Sequence, residues 1–218
     1  MSARSEILDR LRGALADVDG APDPQVGHRT MPTMQGAEPP AEGVLERFTE
    51  VVRDYRATVQ PVTSDDLPRA VAGALQVAGC SSVVVPTGLD DRWLSEVRHG
   101  SMRVVAEQEV DTAGLDGVDA VVTAAAVGIA ATGTIVLDHG PEQGRRALSL
   151  VPDTHVCVVR AEQVVADVPQ AVARLHPDAE AAQPQTWISG PSATSDIELE
   201  RVEGVHGPRT LIVLLVTD

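Results

Sequence analysis

At 218 residues, with 43% hydrophobic and 22% charged residues, the chain is long enough to bury one sizeable core. Its formal net charge of -15 at pH 7 excludes the basic face that nucleic-acid phosphates require and disfavours an anionic membrane surface. No apolar run is long enough for a transmembrane segment, and Met1–Glu6 lacks the apolar core of a signal peptide, so a cytoplasmic location is expected.

Ile7, Leu8, Leu11 and Leu15 recur at helical spacing and predict an amphipathic helix over residues 5–16. From Asp17 to Gly43 the chain is rich in Pro, Gly and small polar residues and reads as a long linker. Residues 1–43 are therefore expected to form an N-terminal helical extension and linker, with an α/β domain over 44–218. That domain opens with a helix over 41–56, where Phe48 and Tyr55 are expected as core anchors. Thr58–Val62 reads as a strand, and Thr63 or Ser64 as the cap of a helix ending at Val77. Ser82–Val85 is a buried strand, followed by a turn at Pro86–Gly88, a helix around Trp93 and Val97, and a strand over Met102–Ala106. Asp119–Ala125 and Gly133–Leu137 are further strands. The link between them is too short for a crossover helix, so they are expected to pair antiparallel. After a turn at Gly140–Arg146 come a short helix, a strand over Thr154–Val159, and a helix over Glu162–Leu175 kinked at Pro169. Pro177–Pro184 reads as a surface loop and Leu211–Val216 as the last buried strand. This alternation predicts a mixed, mostly parallel sheet covered by helices on both faces.

Small hydroxyl residues, glycines and prolines cluster between Trp187 and Thr210 beside Asp196, Glu198, His206 and Arg209. Ser195 and Glu198 have the spacing of a capping box, which predicts a helix N-terminus, a natural attractor of anions. Ser189, Gly190, Ser192, Thr194 and Ser195 are the candidate donors of this stretch. Ligands of open α/β sheets collect beyond the carboxyl ends of the strands. Thr132, Gly133 and Thr134, then Arg145 and Arg146, are expected to join the stretch there and bind a small anion. Two arginines suit a carboxylate or phosphate, although one of the pair is expected to face solvent or a surface acid. Glu198, His206 and Asp196 are the acid–base candidates. A Ser192–His206–Asp196 triad can be drawn, but Ser192 lies in Gly-Pro-Ser-Ala-Thr rather than a GxSxG elbow.

All 17 basic residues are arginine, which excludes Schiff-base, pyridoxal-phosphate and P-loop lysines. Cys80 and Cys157 stand alone, each beside a strand-like run, and cannot supply a CxxC pair or a four-thiolate cluster. Both are expected to be small buried core residues. The histidines lack metal-ligand spacing, so no metal and no cofactor is expected in this chain.

Gly128-Ile129-Ala130-Ala131-Thr132-Gly133-Thr134-Ile135-Val136-Leu137, Gly144-Arg145-Arg146-Ala147-Leu148, His155–Val159 and above all Ser189–Glu198 with Gly204–Pro208 resemble the LUD-domain family. The resemblance runs from the first helix to the last strand and is weakest in the linker. It implies a Rossmann-like three-layer sandwich of the NagB/RpiA/CoA-transferase type. It also implies a role in oxidising L-lactate to pyruvate beside two iron–sulfur lactate utilization proteins, of A and B type, with this chain as the member carrying no cluster. Ala131 departs from the family's commonly acidic position, so a role resting on that carboxylate does not transfer. The other reading is a free-standing enzyme or binding protein for a phosphorylated or CoA-linked acid, which rests on fold analogy.

Overall fold

The computed structural model describes residues 41–175, 184–195, 201–203 and 207–218, with Arg4 besides. Apart from Arg4 these fall within one compact unit, Thr33–Asp218. The expected helix over 5–16, most of the linker and the loop at 177–184 lie outside the described residues.

The helices are α1 (Val44–Asp54), α2 (Leu67–Val77), α3 (Ser95–His99) and α4 (Val168–Leu175). The strands are β1 (Thr58–Val62), β2 (Ser82–Val85), β3 (Arg103–Ala106), β4 (Ala120–Ala124), β5 (Val127–Ile129), β6 (Thr134–Leu137), β7 (Thr154–Arg160), β8 (Val164–Val165), β9 (Thr186–Ile188), β10 (Ala193–Ser195), β11 (Arg201–Glu203) and β12 (Thr210–Val216). Six of them form one sheet in the order β1-β12-β7-β4-β2-β3, and every neighbouring pair is parallel.

Both faces of this sheet are covered, which is why its strands read as unbroken Val, Ile and Leu runs. On one face Val71 and Leu75 of α2, with Trp93 and Val97, pack against Val83, Val156, Ile212 and Leu214. On the other face Phe48 and Val52 of α1 pack against Val59, Cys157, Val159, Val213 and Leu215, together with Ile135 and Leu137 of a second sheet. Each such side chain contributes about 1.5–3 kcal/mol by leaving water. The second sheet has the order β8-β5-β6-β9, and Ala171 of α4 packs with Val127, Ile129, Val136 and Val165. The chain is thus an α/β sandwich with helices on both sides of a parallel sheet.

Several local expectations need correction. The strand at 120–124 does not pair with the one at 134–137. Val127–Ile129 is itself a strand, antiparallel to β6, and the antiparallel pairing belongs to the smaller sheet. Residues 162–175 are not one helix, because Val164–Val165 pairs with β5 and α4 begins at Val168. Pro169 falls in its first turn, where the missing N–H costs nothing, so it starts the helix rather than kinking it. Asp66, not Thr63 or Ser64, precedes α2. Ser195 opens no helix: β10 is extended and pairs antiparallel with β11. Tyr55 is 45% exposed, and Cys80 is half-buried whereas Cys157 is fully buried.

Candidate functional site

In a parallel sheet every strand begins on the same rim. Gly207–Arg209 run directly into β12, and Ser149–Asp153 lead into β7, so both stretches must lie at the amino ends of the strands. The polar C-terminal motif was expected at the carboxyl ends, and the direction of β12 places it on the opposite rim. A cavity of about 270 Å³ opens there. Its walls include Ser149 and Leu150, Thr186–Ser192 along and beyond the edge strand β9, Gly207 and Pro208, and the second residues of β7 and β12, His155 and Leu211. The size suits a small ligand.

His155 is 1% exposed. Its Nε2 lies 2.8 Å from the Thr123 hydroxyl, while its Nδ1 has no partner among protein atoms. Burial pulls the imidazole down from 6.5 to about 4, so the ring is neutral at ordinary pH. Thr123 also reaches the buried Cys157, donating to Sγ at 3.7 Å. Burial pushes that thiol up to about 12, which leaves it an inert core group. A second polar string approaches from the smaller sheet. The Thr132 and Thr134 hydroxyls lie 2.8 Å apart, and Thr134 lies 2.8 Å from the Ser189 hydroxyl on the cavity wall. The Thr186 hydroxyl meets His139 Nε2 at 2.9 Å, and Ser149 donates to the Arg146 carbonyl at 3.2 Å. Among the described residues no arginine lines the cavity.

Of the residues singled out from sequence, Ser189, Gly190 and Ser192 line the cavity, and Thr132 and Thr134 connect to it through hydroxyls. Arg145 and Arg146 are exposed, and Arg145 donates to the Val110 carbonyl. Arg209 is exposed and pairs with Asp153 at 3.2 Å. Thr194 and Ser195 are placed on β10. Asp196, Glu198 and His206 lie outside the described residues. Sequence reasoning passed over His155 as a site residue, because a lone histidine in an apolar strand resembles any satisfied core histidine. The signal that exposes it is its pairing with Thr123 across β4 and β7.

The LUD-domain family model matches residues 45–216. The chain belongs to the LUD-domain family. A lactate utilization protein C of Deinococcus radiodurans is 47% identical over 173 residues, 79% of this chain and 79% of that protein. A lactate utilization protein C of Geobacillus thermodenitrificans is 31% identical over 173 residues, 72% of this chain and 71% of that protein. A crystal structure of a DUF162 family protein from Deinococcus radiodurans matches with a TM-score of 0.67 at 42% sequence identity, covering 79% of this chain and 96% of that one.

In this LUD domain the glycines of the Gly128–Thr134 motif serve packing. A Cβ on Gly128 would sit 3.2 Å from the Phe48 ring. Gly133 has a φ of +58°, and a Cβ there would lie 3.0 Å from the backbone of Val51 and Val52 in α1. Both conditions favour glycine. The carboxyl rim of the LUD domain is built differently. Loop residues 140–144 cover the ends of β2 and β4: Gly88 N–H donates to the Pro141 carbonyl and Ala124 N–H to the Glu142 carbonyl, each at 3.0 Å. Beside them a cavity of about 390 Å³ opens at the ends of β7 and β12, with Arg92, Arg160 and Asp218 on its wall. Arg160, at the end of β7, pairs with Glu142 at 3.0 Å and lies over the Trp93 ring, 5.2 Å from its centroid.

Proposed function

We propose that this LUD domain serves lactate utilization as the component without a redox centre in a system that oxidises L-lactate to pyruvate. The observation that carries this reading is the 47% identity, over most of the chain, to a protein named lactate utilization protein C. Two separated cysteines, one of them held as a buried thiol, cannot ligate a cluster that needs four thiolates. The electron carriers therefore belong to partners, which we take to be two iron–sulfur proteins in the cytoplasm. Residues 44–218 are the functional domain in this reading and residues 1–43 an appendage. The stretch Ser189–Ser192 with Gly207 and Pro208 supplies the ligand wall.

Deletion of the chain should abolish growth on L-lactate, and the tagged chain should co-purify with both iron–sulfur proteins. The purified chain alone should show no cluster absorbance and no lactate turnover. Normal growth of the deletion strain, or turnover by the chain alone, would overturn the reading. The alternative, an enzyme or binding protein for a phosphorylated or CoA-linked acid, rests on fold analogy alone.

A further inference from the structure

The cavity at the amino rim lies between the two sheets. Leu211 of β12 and Ile188 of β9 belong to the same apolar layer, and successive residues of a strand alternate between its faces. Thr186, two residues before Ile188, therefore turns its side chain inward from the smaller sheet, and it stands on the cavity wall. Behind it is His139, whose Nε2 lies 2.9 Å from the Thr186 hydroxyl and whose Nδ1 lies 3.1 Å from the Gly144 carbonyl oxygen. A carbonyl can only accept, so the hydrogen of the neutral ring sits on Nδ1. Nε2 then presents a lone pair, and the Thr186 hydroxyl donates to it. The fold maintains this order at a cost. His139 has a φ of +59°, a left-handed conformation that costs a residue with a Cβ about 1–2 kcal/mol. The buried Gln143 side chain locks that turn, its Oε1 accepting from the N–H groups of Asp138 and His139 at 2.6 and 3.0 Å. Gly144 has a φ of +67°, and a Cβ there would overlap Glu107 Oε2 and lie 2.7 Å from Leu148 Cδ1. Only glycine puts the accepting carbonyl in that place.

A hydroxyl whose proton is held by an imidazole nitrogen, with the other ring nitrogen fixed by a third group, is the arrangement of an activated nucleophile. We propose that Thr186 is a catalytic nucleophile toward short acyl esters, with His139 as its general base and the Gly144 carbonyl orienting the ring. Thr186 Oγ attacks the ester carbonyl carbon while Nε2 takes the hydroxyl proton. The bond to the leaving oxygen breaks, His139 returns the proton to it, and the acyl group stays on Oγ as an ester. A water molecule, deprotonated by the same nitrogen, then releases the carboxylic acid and restores the threonine hydroxyl. A cavity of about 270 Å³, with Leu150, Ile188 and Leu211 on its wall, suits an uncharged acyl group of a few carbons. The chemistry stands independently of the lactate reading.

The test treats the full-length chain with para-nitrophenyl acetate, follows nitrophenolate release, and locates the acetyl group by mass spectrometry of peptides. The chain has no lysine, so side-chain amines contribute no background. Wild type should release a rapid burst of about one equivalent per chain and carry the acetyl group on Thr186. Thr186→Val, which keeps the shape and loses the hydroxyl, should abolish the burst, whereas Thr186→Ser should retain it. His139→Gln should slow acylation by about 100-fold or more. Circular dichroism and urea unfolding establish that each variant is folded. No acetyl group on Thr186, an acetyl group on Ser189 or Ser192 in its place, or an unchanged rate in folded His139→Gln would each overturn the proposal. The labelling site in wild type decides even if the variants fail to fold.

Discussion

The two rims of the parallel sheet differ in what lines their cavities: neutral hydroxyls and an imidazole at the amino rim, arginines and carboxylates at the carboxyl rim. At the carboxyl rim Arg160 meets Glu142 and Arg92 meets Asp90 at 2.6 Å, while Asp218 accepts from the N–H and hydroxyl of Ser64 at 2.8 and 2.9 Å. At the amino rim the cavity is lined by neutral hydroxyls and an imidazole with one nitrogen unpartnered. Open α/β sheets commonly bind ligands at the carboxyl rim. Here the loop 140–144 and ion pairs occupy part of that rim, which also keeps a cavity of about 390 Å³ beside Arg92, Arg160 and Asp218 and, just beyond β3, a buried Glu107 Oε2 without a partner.

The comparison breaks most directly at Gly190, on the amino-rim wall. Its φ is +82°, and a Cβ there would sit 2.6 Å from Tyr55 Cβ and 2.8 Å from the Tyr55 carbonyl oxygen. Gly190→Ala should cost about 3–5 kcal/mol, combining left-handed strain with overlap, and should deform the cavity. Gly79→Ala is the control, because Gly79 shares the backbone angle, at +73°, but has nothing within 4 Å of the added Cβ; it should cost about 1 kcal/mol. Urea unfolding of both variants checks this, and equal costs would mean that the close approach to Tyr55 is absent.

Next in size is the acid sensitivity of His155. The folded ring titrates near 4 and the unfolded one near 6.5, so below 6.5 the unfolded chain takes up a proton that the folded chain refuses. The stability from a neutral His155 is full above 6.5 and is lost as the pH falls toward 4, reaching roughly 3 kcal/mol at the lower end. Between about pH 7 and about pH 5 wild type should lose about 2 kcal/mol more than His155→Gln. Unfolding curves at the two values measure the difference, and parallel losses would show that the ring is not shielded from water.

What could be read in advance divides along the same line. The parallel sheet was legible, because Val83–Val85, Val121–Val122, Val156–Val159 and Leu211–Val216 are apolar runs separated by helical spacing. The smaller sheet was not, because β5 has three residues and β8 two, too few for any period. Ser195 and Glu198 met the capping-box pattern, yet Ser195 lies in a strand, since polar spacing of three or four residues is also compatible with a hairpin. Ser189 and Ser192 stood out through composition, whereas His155 did not. Its meaning arises from register: Cys157 lies opposite Thr123, and His155, two residues back on the same face, falls within reach of that hydroxyl.

A smaller effect is expected at Asp119, which joins the starts of β2 and β4. Its carboxylate accepts from Ser81 N–H and hydroxyl at 2.8 and 2.7 Å and from Ser82 N–H and hydroxyl at 2.9 and 3.0 Å. The Ser81 hydroxyl and backbone lead the effects that lower its pKa from 3.8 to about 2. Stability from this group is present above 3.8 and is lost as the pH falls toward 2. Because the group is half-exposed, solvent screening limits Asp119→Ala to a cost of about 1–2 kcal/mol at neutral pH. A thermal melt that does not change would remove the clamp from the account of the amino rim.

The smallest effect should come from the carboxyl rim itself. Arg160 and Glu142 side chains are 30% and 37% exposed, so water screens their attraction, and such pairs contribute up to about 1 kcal/mol. Arg160 also keeps the face of Trp93 and the Gln163 side chain, which accepts from its backbone N–H at 2.8 Å. Glu142→Gln removes one charge but leaves the Glu142 backbone carbonyl that holds Ala124, so the loop should stay closed. Stability should fall by less than about 1 kcal/mol, and growth on L-lactate should match wild type. That pairing of outcomes separates the rims. A carboxyl rim that only closes the fold can lose a charge without consequence for a ligand at the opposite end. Loss of growth on L-lactate in a stably folded Glu142→Gln would instead assign the function to the carboxyl rim.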